Sequence, residues 1–476
     1  VNALVTLYHQ GKFDDVLSRS SQLIKEYPET FVLHNIIGAI SFEKGHKEVA
    51  IKHFRQVIEL RPHYPHAYNN LGAALIDMGE YEEAKSNLKK AIELQPDYAE
   101  AYNNLGNVYK EMEEYNQAIS VYEKAIELNP EYYEAYNNLG VALGKNEQYE
   151  EAEKVLKQVI KLQPDLIDHP KNFISYFYLG SLYHDSNDLK NAIIYLRKSV
   201  KLNPNYFNSW FKLGIASNNF KKPYDAIHAY EKALEINPNH VETLNNLGTI
   251  HHYILQYEKS IEYYKQAIKF NPHFNILYSN LALAYKDSGD IINSIKYYKL
   301  AIEKNPHDEV PLNQIGQLFR ELNNLKNASI YFINAIGLKP NSIPSNFNLA
   351  CTLIDMGIYN HAKNYLNKII KIDKEYVKAH LKLGEMNFYL GFYDKGLYNF
   401  LNAVDIGKEL ELSFSLLNFY INYSPDMSAK EIFDYYKKYD HRFGLPLKSK
   451  WKSFPQPKTP KQRLRIGYVS PDFKQH

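Results

Sequence analysis

A chain of 476 residues is longer than one compact core usually covers. Tandem repeats are the other route to such a length, because a stack needs no single core. Hydrophobic residues at 45% and charged residues at 23% exclude a disordered chain. Lys and Arg number 56 against 54 Asp and Glu, a balance that excludes bulk electrostatic binding to nucleic acid.

The start, Val1-Asn2-Ala3-Leu4, has no basic region followed by an apolar stretch, so no signal peptide is expected. It lacks Met and lies inside a helix pattern, which reads as cut from something longer. No apolar run reaches the roughly 18 residues of a membrane span. Pro28, Pro62, Pro96, Pro130 and Pro164 then stand 34 residues apart, and Pro204, Pro238, Pro272, Pro306 and Pro340 continue the series, with Lys374 in the next place. The step from Pro164 to Pro204 is six residues too long, and the extra residues fall in the polar stretch Asp165–Asn172.

Within one unit, Tyr68, Leu71, Gly72 and Leu75 mark one face of a helix. Gly79 ends it, Tyr81 opens the turn, and Ala84, Leu88 and Ala91 mark the inner face of a second helix that Pro96 stops. Gly72, Ala84 and Ala91 are small where the two helices must approach. The same places recur as Leu105, Gly106, Ala118, Tyr122 and Ala125, and as Leu247, Gly248, Ser260, Tyr264 and Ala267. Period and residue types together resemble the tetratricopeptide repeat. The expected fold is all-α, a right-handed superhelix of about twelve helix pairs over residues 1–408, the first unit incomplete. First helices should line a concave groove.

The residue two before the repeat glycine should face that groove. It is Asn70, Asn104, Asn138, Asn246, Asn280 and Asn348 in six units, and Ile36, Tyr178, Lys212, Gln314 and Lys382 in the others. An Asn amide carries donors and an acceptor, so a row of them can hold an extended peptide's backbone and ignore its side chains. Packing or solubility explains the same row equally simply, since Asn is common at this place in such repeats. A clamp for a terminal carboxylate is matched only in part, by Asn348, Lys378 and Lys382, with Asn313 and Gln317 departing from it. Most of the 42 tyrosines read as packing residues. Glu100, Glu134 and Glu242 near the groove speak against RNA. His251 and His252 are adjacent and point to different sides of a helix, so no metal site is expected there. The single cysteine, Cys351, reads as a buried structural thiol and fits a reducing compartment.

After the repeats, residues 409–445 form a helical transition. Leu412–Tyr423 reads as one helix, and Ser428 with Glu431 as a capping box opening Ala429–Phe443. Residues 446–463, with Pro455, Pro457 and Pro460, read as an extended linker. Residues 464–476 read on composition as either the first strand of an α/β domain or a disordered tail.

Arg463-Leu-Arg-Ile-Gly-Tyr-Val-Ser-Pro-Asp-Phe473, followed by His476, resembles the opening of the catalytic domain of the O-GlcNAc transferase/SPINDLY family. Tyr423–Phe433 resembles the helical segment before it. The resemblance implies a protein O-glycosyltransferase of cytoplasm or nucleus whose groove guides extended acceptor proteins. His476 would match a proposed catalytic base. No cofactor or metal is expected in this chain; UDP-GlcNAc, or GDP-fucose as in some SPINDLY-type members, would be the donor of the full protein. The donor lobe is absent, so the fragment alone is expected to be inactive. Neither nucleic acid nor membrane is an expected partner, and self-association stays open. A non-enzymatic tetratricopeptide scaffold is the rival reading.

Overall fold

The computed structural model describes residues 13–161, 172–407, 411–423 and 427–446, which hold 25 α-helices and no strand. The expected strand at 464–476, most of the linker and His476 lie outside the described residues. The helix Phe13–Glu26 comes first, as the second helix of the incomplete unit. Eleven complete pairs follow, from Phe31–Glu43 with Lys47–Leu60 to Val377–Tyr389 with Tyr393–Ile406. The chain divides into two compact units, residues 1–272 and 273–476.

In both units a second helix packs against its own first helix and against the next first helix. Successive first helices also touch one another, while successive second helices hardly do. Closer spacing of the first helices curves each stack and puts them on its inner side.

The pairing rests on a close approach sixteen residues deep. A Cβ on Gly72 would lie 2.6 Å from Leu88, one on Gly248 2.7 Å from Tyr264, and one on Gly316 2.6 Å from Phe332. Gly106 faces the Tyr122 ring in the same way. The large partner is almost wholly buried each time: Phe54, Leu88, Tyr122, Tyr230, Phe332 and Phe400 are all at most 1% exposed. Burying each such side chain stabilises the stack by about 1.5–3 kcal/mol.

A second device recurs in five of the helix pairs. The fourth residue of a first helix bonds to the carbonyl six residues earlier, beyond the preceding second helix. Tyr68 Oη donates to Pro62 O (3.0 Å), Trp210 Nε1 to Pro204 O (2.8 Å) and Asn346 Nδ2 to Pro340 O (3.0 Å). His34 and His380 do the same through Nε2, His380 to the Lys374 carbonyl that stands where others have proline.

The turn between paired helices needs one residue in the left-handed region. Glycine supplies it at Gly79 (φ 78°), but Glu113, Glu147, Asn187, Lys221, Leu255 and Asn323 hold the same place in other units. Leu255, at φ 64° and 70% exposed, carries the strain without burial to offset it. The second helix after such a turn is capped in three units by Asp188, Asp290 or Asn324, whose side chains accept from the backbone three residues on.

The transition segment holds the helices Glu411–Ile421 and Ala429–Tyr439. The Ser428–Glu431 capping box forms. The last helix is shorter than its pattern suggests, because Asp440–Gly444 continues as a π turn. Phe443 packs edge-on against Phe414 from there. The reading of most tyrosines as packing holds for Tyr122, Tyr230, Tyr264 and Tyr298 but not for Tyr224, Tyr253, Tyr389 and Tyr398, which are 66–77% exposed. Cys351 is buried and free, and burial pushes its thiol pKa up.

Two histidines join the first pair of helices. His34 Nε2 must donate to Pro28 O, so its Nδ1 is the acceptor for His53 Nδ1–H at 2.9 Å. Burial, with the His34 and Lys52 charges, pulls His53 down from 6.5 to about 4. A lowered histidine favours the neutral form, so its contribution is fully present above pH 6.5 and is lost as pH falls towards 4. Discounted for half-exposure, that loss is about 1–2 kcal/mol. His53→Phe should therefore flatten the urea stability of the first unit between pH 6.5 and 4, and an unchanged slope would contradict the pairing.

The packing rule makes a two-sided forecast. Ala282 and Ala350 stand in for the repeat glycine opposite Tyr298 and Leu366, so one methyl is tolerated there. Gly106→Val, which adds bulk against Tyr122, should destabilise by about 2–3 kcal/mol. Leu255→Gly should stabilise by about 1 kcal/mol through relief of the left-handed residue. Chemical denaturation reads both, and equal signs would refute the assignment.

Candidate groove and its asparagine ladder

The six expected asparagines sit on first helices and are half-buried: Asn70, Asn104, Asn138 and Asn246 in the first unit, Asn280 and Asn348 in the second. They are not isolated. Asn104 Nδ2 donates to Asn69 Oδ1 (2.9 Å), Asn138 Nδ2 to Asn103 Oδ1 (3.0 Å) and Asn348 Nδ2 to Asn313 Oδ1 (3.1 Å), each reaching back 35 residues. Asn70 approaches Asn35 at 3.5 Å. Asn246 instead donates to the Tyr230 hydroxyl (3.3 Å).

The ladder therefore links neighbouring units as well as lining a surface. In Asn104, Asn138 and Asn348 one N–H of the amide is spent between units, which leaves one N–H and the carbonyl lone pairs for a ligand. The partner residue, three before the glycine, was not among the expected site residues. Its signal is the doubled Asn of Asn69-Asn-Leu-Gly72, Asn103-Asn-Leu-Gly106 and Asn137-Asn-Leu-Gly140.

Further groups surround the ladder. His66 Nδ1 and the Tyr98 hydroxyl lie 2.7 Å apart, and burial with the Glu100 charge pushes Tyr98 up to about 12. Tyr122 donates to Asn107 Oδ1 (2.7 Å), and the Tyr264 hydroxyl meets Thr249 Oγ1 at 3.0 Å. In both, the residue after the repeat glycine satisfies a buried phenol. His251 is buried and stacked on Tyr263, with Nδ1 donating to Gln256 Oε1 (2.8 Å). His252 is half-buried, and no cluster among the described residues is arranged to hold a metal.

In the second unit the charged groups of the groove pair with each other. Arg320 reaches Asp355 through Nε (2.8 Å) and Nη2 (2.7 Å), and Lys382 holds Glu385 at 2.6 Å. With Asn313 bonded to Asn348, only Lys378 of the partial clamp is exposed without a salt bridge.

A stack of helix pairs with a 34-residue period and a lined inner face defines a helical-repeat protein. Tetratricopeptide repeat models match residues 64–131, 109–171, 241–274 and, in five copies, 174–206, 207–240, 277–308, 311–342 and 343–376; a TPR repeat model matches 38–79. The chain belongs to the tetratricopeptide repeat family. No curated protein matches it. Among solved structures it is similar to the crystal structure of the yeast Tom70, at 16% identity over 84% of this chain and 96% of that one, TM-score 0.38. It is also similar to Pseudomonas aeruginosa pilF, at 23% identity over 47% of this chain and 96% of that one, TM-score 0.39. No helix among the described residues is long and apolar enough to cross a membrane.

Because the ladder bonds join units, their loss has a stability readout. Asn104→Ala and Asn69→Ala should each cost about 1 kcal/mol in urea unfolding. The double variant should cost less than the sum. Strict additivity would mean that the bond contributes nothing.

Proposed function

We propose that this chain is a protein-binding solenoid whose inner face holds extended segments of partner proteins. The observation that carries the reading is the asparagine row, one amide per unit over Asn70, Asn104 and Asn138, with hydrogen-bonding capacity left after the bonds between units. Such a row suits the repeating N–H and C=O of a peptide and leaves its side chains unread. Self-association through other faces is compatible with it.

We further propose that the full protein uses this face to select acceptors for O-glycosyl transfer. The support is the sequence Arg463–Phe473 with His476, after the right kind of repeats and in the right order. The leading chemistry is GlcNAc from UDP-GlcNAc onto Ser or Thr, with O-fucose from GDP-fucose second. A hydroxyl nucleophile needs a base, and His476 is the candidate. Without that chemistry the same face serves a scaffold.

An array of random 15-residue peptides probed with the purified chain tests the binding reading. The wild type should retain many unrelated sequences, and the combined Asn104→Ala, Asn138→Ala, Asn246→Ala and Asn280→Ala variant should lose about tenfold or more, with helicity preserved. Unchanged retention would overturn it. Incubating the natural full-length protein with labelled UDP-GlcNAc or GDP-fucose and the retained peptides tests the transfer. Label on Ser or Thr from either donor is expected, and none from both would leave a scaffold.

A further inference from the structure

Inside the first unit the ladder breaks first at Tyr178, with Lys212 a second departure. Asn137 would be the next acceptor in the row, but Tyr178 stands where the donating Asn should be. Asn137 is 5% exposed and its Oδ1 has no hydrogen-bond partner among the described residues. A buried acceptor left unmatched is costly, and it marks the break in the row.

Beside the break, between the first helices Tyr133–Lys145 and Phe173–Asp185, lies a half-open hollow of about 220 Å³. Its origin is three short side chains. Gly144 stands where other units place Phe42, Ile76 or His184. Leu156 stands where the preceding unit has the larger Tyr122, and Ser181 stands opposite Leu196, which has no phenol to satisfy its hydroxyl. Ser181 Oγ is accordingly buried without a partner. Val141, Phe177, Tyr178 and Leu182 make the walls mainly apolar.

The rim carries a charge of unusual sign. This place is acidic in most units, as Asp77, Glu111, Asp185 and Asp287 show, but here it is Lys145. Asp185, also on the rim, is already paired with Lys212 at 3.1 Å, whereas Lys145 is exposed and makes no salt bridge among the described residues.

We propose that this hollow is a side-chain subsite. It takes one aromatic or leucine side chain of an extended peptide lying in the groove, with an adjacent Asp or Glu paired to Lys145. An apolar cavity of about 150 Å³ accepts benzene, so a phenyl group fits the volume. The peptide's own N–H groups supply a partner for Ser181 Oγ, which lines the hollow. The subsite rests on the peptide-binding reading and adds a preference to a groove that otherwise ignores side chains.

The test uses the full chain and an array of 15-residue peptides that carry Phe-Asp, Leu-Asp, Ala-Asp or Phe-Lys at the centre of random sequence. Phe-Asp and Leu-Asp peptides should be retained about tenfold or more over Ala-Asp, the worth of one buried apolar side chain. Val141→Phe, which fills the hollow, should bring them down to the Ala-Asp level, and Ser181→Leu is an independent filler should the first misfold. Lys145→Glu should reverse the order of Phe-Asp and Phe-Lys. Retention of all four classes alike, with loss in the asparagine variants, would overturn the subsite and spare the groove. No retention of any class would overturn both.

Discussion

The close approach of paired helices at the repeat glycine is the constraint on which the rest depends. A Cβ on Gly72 or Gly248 would enter the side chain sixteen residues on, and that side chain is almost wholly buried. Because Leu88 or Tyr264 reaches the glycine, the second helix lies close against the first and leaves its other flank for the next unit. Repetition of that geometry keeps the first helices close to each other and so on the inside of each stack. The asparagines fall on the inner face because they stand two residues from the same glycine. Packing and binding surface are thus set by one residue's lack of a side chain.

The groove follows from this packing in more than placement. Its asparagines bond to the unit before, so the residues offered to a ligand also hold the stack together. The packing role is seen in these bonds, and the proposed peptide grip is compatible with it in the same amide. Where the row is interrupted at Tyr178, the bond between neighbouring repeats is missing. A buried acceptor is stranded at Asn137, and the inner surface opens into the hollow beside Gly144.

The repeat was legible because it is written in period, proline and glycine, and the Ser428 capping box because its two residues are local. What escaped was chemistry shared by unlike residues. Tyr68, Trp210, His34 and Asn346 make the same bond to the carbonyl six residues back, yet no composition rule groups them. The left-handed turn residue hid in the same way, since Glu113 and Leu255 take a conformation that Gly79 advertises. Bonds spanning 35 residues leave only the doubled Asn as a trace. The exposed Tyr224, Tyr253, Tyr389 and Tyr398 look in sequence like their buried counterparts, because exposure depends on which face of the helix its neighbours cover. The resemblance of the tail rests on Arg463–Phe473, which lies outside the described residues.

The central claim is that the inner face reads peptide backbone through its asparagines. The most direct measurement is the affinity of one retained peptide lacking an aromatic-acidic pair, compared with a scrambled version and with a version N-methylated at alternate amides. The account predicts that scrambling changes affinity by less than about threefold, while N-methylation, which removes backbone donors, weakens it by about tenfold or more. Equal binding of the N-methylated peptide, or loss on scrambling alone, would contradict it.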